Sequence, residues 1–347
     1  MTKKISVLAP VNLTKKDAFL FEPRLSYELP SLKIKKLTGP FITNSGIVSN
    51  AKGLVNECYH NTMRGQYTAR LNEVSKYYHD AREDPEKLIV LDDDETYLLI
   101  HHTWHNNYYH WLCETLPRLI KVRTKVDQMI LLLPSENQLS AFVKDTLAPF
   151  NFKGIFYVPA GKGVLVRRLC MPQSPPFMGA HNAKSLSKLN KLYVNYVKQL
   201  KNIKVDVGKR IYVSRAKSAR RKIINESAVF DVMHAFNFSI IYSEDYTFFE
   251  QVAIYSNAEY LIGIHGAALT NMIFMPRHSK VLEFHKRITN TKDHHSVVYW
   301  YLADALRHTY YHQICEPSDT DDDFFEADFI VDVELLKCNV ELMLKVD

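Results

Sequence analysis

The chain has 347 residues, 46% of them hydrophobic, with 44 Lys and Arg against 38 Asp and Glu for a net charge of +6. This length exceeds the usual single domain and the apolar content excludes a disordered chain, so two domains with real cores are expected. The mild basic excess suits anionic substrates or a membrane surface and does not require nucleic acid.

In chain order, residues 1 to about 85 are mixed, with a hairpin read over Phe41–Asn50 around Asn44-Ser45-Gly46. Leu88–Leu91 and Thr96–Ile100 read as strands about the acidic turn Asp92–Glu95. That turn could hold a metal-bound sugar nucleotide, but a solvated turn is the better reading. Next comes HHTWHNNYYHWLCETLPRLIK, His101 to Lys121. From Tyr108 it reads as a helix, with Leu112, Leu116, Leu119 and Ile120 as the buried stripe. His110, Glu114 and Arg118 step by four and share another face. Pro117 should kink the helix or mark an irregular turn. A histidine and a carboxylate one turn apart offer a general base and its orienting partner. The same spacing equally describes a surface ion-pair stripe or a histidine satisfied in the core. His101, His102, His105 and His110 lack an acidic or cysteine ligand at standard spacing, so no metal is expected.

Strands follow at Met129–Leu133 and Ile155–Val158, with a helix over Gln138–Leu147 between them, then a strand at Val164–Cys170. MPQSPPFMGAHNAK reads as a linker and Ser185–Lys201 as a long helix. The second α/β unit starts at strand Arg210–Ser214, with Arg215 just past its end and Arg220, Arg221 and Lys222 in the same loop. Asn225 should cap a helix carrying Val229, Val232 and Met233. Strand Phe238–Tyr242 and the capping box Thr247–Glu250 come next. Strand Tyr260–Ile264 then meets the small turn His265-Gly266-Ala267-Ala268, a helix start over Leu269–Phe274, and strand Lys280–Phe284 bearing Glu283. A helix N-terminus behind small residues favours a phosphate, although an ordinary packed turn has the same composition. Right-handed crossovers in this doubly wound order place Arg215, His265 and Glu283 on one sheet edge, where α/β sheets bind ligands. Asp293–Arg307 should be helical and Asp319–Asp323 a solvated loop. The boundaries expected are an N-terminal α/β domain over 1–175, a Rossmann-like domain over 176–310, and a tail over 311–347 packing back on the first domain. Cys58, Cys113, Cys170, Cys315 and Cys338 are scattered and odd in number. They point to free thiols in a reducing compartment.

The segments NNYYHWLCETLPRL, RIYVSR and LIGIHGAALTNMIFM followed by VLEF, in this order, resemble glycosyltransferase family 61 over about residues 40–310. The resemblance implies a GT-B architecture, two Rossmann-like domains facing across a cleft. It implies an inverting, metal-independent transferase, similar to soluble bacterial members of capsular or other surface polysaccharide synthesis. The turn reads His-Gly-Ala-Ala where many members have His-Gly-Ala-Gly. On this reading Arg215 grips the donor diphosphate, and His265, Gly266, Ala267, Ala268 and Asn271 line the donor turn. Glu283 meets the ribose. Glu114 is the favoured base, with His110 orienting it or contacting the acceptor. No cofactor is expected; the co-substrate is a nucleotide-diphosphate sugar, UDP-sugar. The partners are a glycan or lipid-linked glycan acceptor and a peripheral membrane surface, in a cytoplasmic protein. The competing readings are a non-catalytic sugar-nucleotide or glycan-binding subunit of a synthesis complex and another nucleotide-dependent enzyme on a doubly wound fold.

Overall fold

The computed structural model describes residues 2–63, 65–291, 293–323 and 326–345. The chain forms two compact units, Met1–Lys4 with Glu28–Leu189, and Ile5–Tyr27 with Asn190–Asp347. The division falls inside the helix Ala183–Gln199 rather than at 175/176. The Pro-rich run expected as a linker is instead packed within the first unit. Ser174 N–H donates to Glu57 O at 2.9 Å, Ser174 Oγ to Cys58 O at 3.0 Å, and Thr62 Oγ1 to Pro176 O at 2.8 Å. Prolines lack the N–H but keep the carbonyl, so such a run can still accept bonds from a neighbouring loop.

In the first unit, one sheet has the order Gly154–Val158, Ile130–Pro134, Tyr97–Leu99, Arg168–Pro172 and Ile34–Thr38, parallel except for the last. A second has the order Gly53–Leu54, Val48–Asn50, Phe41–Ile42, Gly163–Val166 and Leu88–Leu91. The hairpin forms as expected, with Ile42 opposite Val48. The single strand expected at 164–170 breaks at Arg167 into Gly163–Val166 and Arg168–Pro172, one in each sheet. The strands flanking Asp92–Glu95 are likewise divided between the two sheets. The acidic turn is solvated, Asp94 pairing with Arg167 at 2.9 Å.

The helix from Tyr108 forms in three pieces. Tyr108–His110 is α-helical, capped by the Asn107 side chain, which accepts from Tyr109 N and His110 N. Trp111–Thr115 is a π-helical turn, and Leu116–Val122 returns to α. Leu116 N–H donates to Trp111 O, five residues back. Proline has no N–H for the carbonyl four residues before it and its ring crowds that carbonyl; the widened turn ahead of Pro117 relieves both.

In the second unit, six strands have the order Ser239–Ile241, Arg210–Val213, Tyr260–Ile264, Lys280–Lys286, Thr309–Pro317 and Phe329–Ile330, parallel except for the last. Buried Val229, Val232 and Met233 pack with Ile262, Leu282 and Phe284 in one core. The residues expected as a separate tail belong to this unit. Thr309–Pro317 pairs with Lys280–Lys286, and the helix Val333–Lys345 adds Leu336, Val340 and Met343 to the same core. The capping box at Thr247 and Glu250 is present. Asn225 precedes its helix without a side-chain cap, because its amide clamps Val331 N at 3.0 Å and Val331 O at 2.8 Å. Among the described residues no helix is long and apolar enough to cross a membrane.

Candidate active site

Strand register builds the first cluster, at the carboxyl end of the second unit's sheet. Gly263 lies opposite both Val213 and Glu283. Arg215 therefore leaves its strand beside the turn that follows Ile264. A Cβ added to Gly266 would lie 2.6 Å from Arg215 Nη1. The guanidinium thus rests on this glycine's backbone. Gly266 has φ 170°, an extended value open to any residue, so it is the contact that requires glycine. Arg215 Nη2 donates to Ser218 Oγ at 2.9 Å. Arg221, left-handed at φ 58°, donates from Nη1 to His265 O at 3.1 Å. Neither arginine has a carboxylate within ion-pair distance among the described residues, and each keeps a buried Nε without a partner. Burial lowers both guanidinium pKa values. For Arg221 the Arg215 charge adds to this and the value falls to about 10. Two partly buried cations with no carboxylate at ion-pair distance among the described residues have the charge and donors to hold a phosphate group.

His265 Nδ1 donates to Glu283 Oε1, and Tyr310 Oη donates to Glu283 Oε2 at 2.6 Å. Glu283 is fully buried. Burial alone would raise its pKa, but His285 and His265 hold it well below the usual range. Both of its oxygens already accept from protein groups, so Glu283 holds His265 in place. The expected helix start is a 3-10 helix, Ala267–Phe274, with Ala267 and Ala268 half-buried and the rest buried. Asn271 is fully buried and donates from Nδ2 to Gln251 Oε1 at 2.8 Å, so it packs the turn against the preceding helix.

The second cluster lies in the first unit. Glu114 is 1% exposed and is ringed by histidines. His110 Nδ1 is 2.6 Å from its Oε2, His60 Nε2 is 3.1 Å away, and His102 Nε2 is 3.1 Å away but outside hydrogen-bonding geometry. Burial would raise the Glu114 pKa, yet His60 and His110 hold it well below the usual carboxylate range. Burial lowers the His60 pKa, but Glu114 outweighs it and the net shift is upward. Burial takes His102 down to about 3. His110 is the member of the ring that reaches furthest toward solvent, at 10% side-chain exposure, and its Nε2 has no partner among the described residues. Trp104 stacks on both His110 and His60, with centroids 4.9 and 5.3 Å apart. Arg118, expected on the same face, is buried elsewhere: Nε donates to Pro172 O at 2.7 Å and Nη1 to His101 O at 3.0 Å. It ties down strand ends and has no part in the cluster.

Sequence reasoning brought together His110 with Glu114 and Arg215 with His265 and Glu283. It did not assign Arg221, Tyr310, His60 or His102. The run of basic residues after Arg215 and the histidines of 101–105 were the available signals; nothing in the chain linked His60 to Glu114.

The family model described as Glycosyltransferase 61 matches residues 108–282, just over half of the chain. The chain belongs to that family, which supports glycosyltransferase activity in general. The matched stretch spans the His110–Glu114 helix and the Arg215–Gly266 contact, and ends one residue before Glu283. No match is found among curated proteins.

Proposed function

We propose that the protein is an inverting, metal-independent glycosyltransferase of the GT-B type. It would move a sugar from a UDP-sugar to a hydroxyl of a glycan or lipid-linked glycan, in capsule or surface polysaccharide synthesis at the cytoplasmic face of a membrane. The observation that carries this is the pair of arginines, Arg215 and Arg221, packed around the Gly266 turn with no carboxylate at ion-pair distance among the described residues. A leaving nucleoside diphosphate needs its developing charge neutralised, and two fixed guanidiniums supply that. The acceptor oxygen attacks the anomeric carbon, the bond from that carbon to the diphosphate oxygen breaks, and the hydroxyl proton passes to the base.

For the base we assign His110 rather than Glu114, reversing the roles expected from the sequence. Glu114 is 1% exposed and lies behind the imidazole. With Nδ1–H donated to Glu114, His110 Nε2 carries the lone pair. The test is a panel of nucleotide sugars, with hydrolysis and transfer measured with and without excess EDTA. The expected outcome is turnover of one UDP-sugar that survives the chelator. Turnover that vanished with EDTA and returned with manganese would overturn the metal-independent reading.

A further inference from the structure

The ring around Glu114 has a second property, one that does not depend on the transferase reading. The ligating atoms of His60, His102, His110 and Glu114 all lie within 4.8 Å of one another. A tetrahedral ion with bonds of about 2.0–2.1 Å needs ligand separations of roughly 3.4 Å. Shifts of about an ångström would therefore complete the shell. The side chains are 1–2% exposed for His60, Glu114 and His102, so the donors are already desolvated.

Tautomers point the same way. His60 Nδ1 is 2.9 Å from Pro175 O. A carbonyl only accepts, so Nδ1 carries the proton and the Nε2 lone pair of a neutral ring faces Glu114 Oε2. Two lone pairs at 3.1 Å repel, so the contact calls for a cation between them, either a proton on Nε2 or a metal ion in its place. A ring nitrogen held by a backbone carbonyl, with the other nitrogen aimed at a carboxylate cluster, is how metal-ligating histidines are oriented. His102 Nε2 is buried and aimed at the same carboxylate without completing a hydrogen bond, and Glu114 Oε1 is buried with no partner. Three imidazoles with one carboxylate suit a borderline-soft divalent ion, not Mg2+ or Ca2+.

We propose that His60, His102, His110 and Glu114 form a binding site for Zn2+ or a similar transition-metal ion. Spacing along the chain concealed it, since His60 lies far from the 101–110 histidines and reaches Glu114 only through the packed loop at Pro175. If His110 is the base, an ion here takes it out of use, so Zn2+ suppresses transfer and a chelator restores it.

The test uses the full chain stripped of metal and titrated with Co2+. The expected result is one equivalent bound with the intense visible bands of four-coordinate Co2+, displaced by one equivalent of Zn2+. His60→Gln and Glu114→Gln should each weaken Co2+ binding about a hundredfold or more. Thermal melts of the metal-free variants confirm that they fold, and the milder His102→Asn serves if either does not. A weak six-coordinate spectrum, or binding unchanged in these variants, overturns the site. The spectrum is read without substrate, so its failure falls on the metal site, whereas absent transfer with an intact spectrum falls on the transferase reading.

Discussion

Replacing Gly266 by alanine tests the donor site without touching a charged group. The new Cβ would sit 2.6 Å from Arg215 Nη1 and 3.4 Å from Cζ. Non-bonded atoms rest at about 3.5–4 Å, so the guanidinium has to retreat by roughly an ångström. The backbone does not resist, because φ 170° and ψ 170° are accessible to alanine. The atom displaced is the far end of a flexible side chain, so the melting temperature should hardly change. A misplaced charge-assisted hydrogen bond costs about 1.5–3 kcal/mol, or roughly ten- to a hundredfold in Kd for UDP. Isothermal titration calorimetry reads this directly. Arg215→Ala should cost at least as much. If both act through one guanidinium, the double variant should be no worse than Arg215→Ala alone. Wild-type UDP affinity in Gly266→Ala, or strictly additive losses in the double variant, would refute the assignment.

The base assignment predicts that His110→Ala lowers turnover by about a hundredfold or more while UDP affinity stays normal. Glu114→Gln, which still accepts a bond from the ring, should lose less, and the reverse ranking would return the role to Glu114. The second unit also carries an acid-sensitive histidine. His308 is buried, bonds Met272 O at 2.9 Å through Nε2, and is held down to about 4, chiefly by burial. Between pH 6.5 and 4 the unfolded chain binds a proton that the native one refuses. Stability is therefore full above pH 6.5 and falls as pH drops toward 4, by at most about 3 kcal/mol from this group. His308→Gln should flatten that limb in urea melts at pH 7, 5 and 4, and an unchanged slope would show the proton uptake lies elsewhere.

The strands of the second unit were legible because each is a short apolar run closed by a turn signal. Tyr260–Ile264 forms with the bounds read from the chain. Parallel pairing then fixes which residues meet, so Arg215, His265 and Glu283 followed from order alone. The first unit was less legible. Arg167 breaks one apolar run between two sheets, and a run of residues carries no mark of which sheet it joins. The Pro-rich segment had a linker's composition, yet its carbonyls hold the 56–62 loop and orient His60. Asn225 had the right residue and position for a cap, but Val331, just past a strand distant in the chain, took its amide. In each case a contact far along the chain outcompeted the local preference.

The two clusters share one device. In each a buried glutamate holds a histidine through Nδ1: Glu114 with His110, and Glu283 with His265. A carboxylate taken out of water is costly unless paired. An arginine would pair it permanently and leave nothing for chemistry. Imidazole partners satisfy it while each keeps a second nitrogen for another task. In the first unit three imidazoles converge on one oxygen, so the charge is distributed and His110, the most exposed, is oriented toward solvent. In the second, Tyr310 takes the remaining oxygen of Glu283 and the guanidiniums of Arg215 and Arg221 gather beside His265. A glutamate so enclosed has no route to a substrate except through its histidine. In both clusters the glutamate supports its histidine, and on the proposed function it is the histidines and arginines that would meet donor and acceptor.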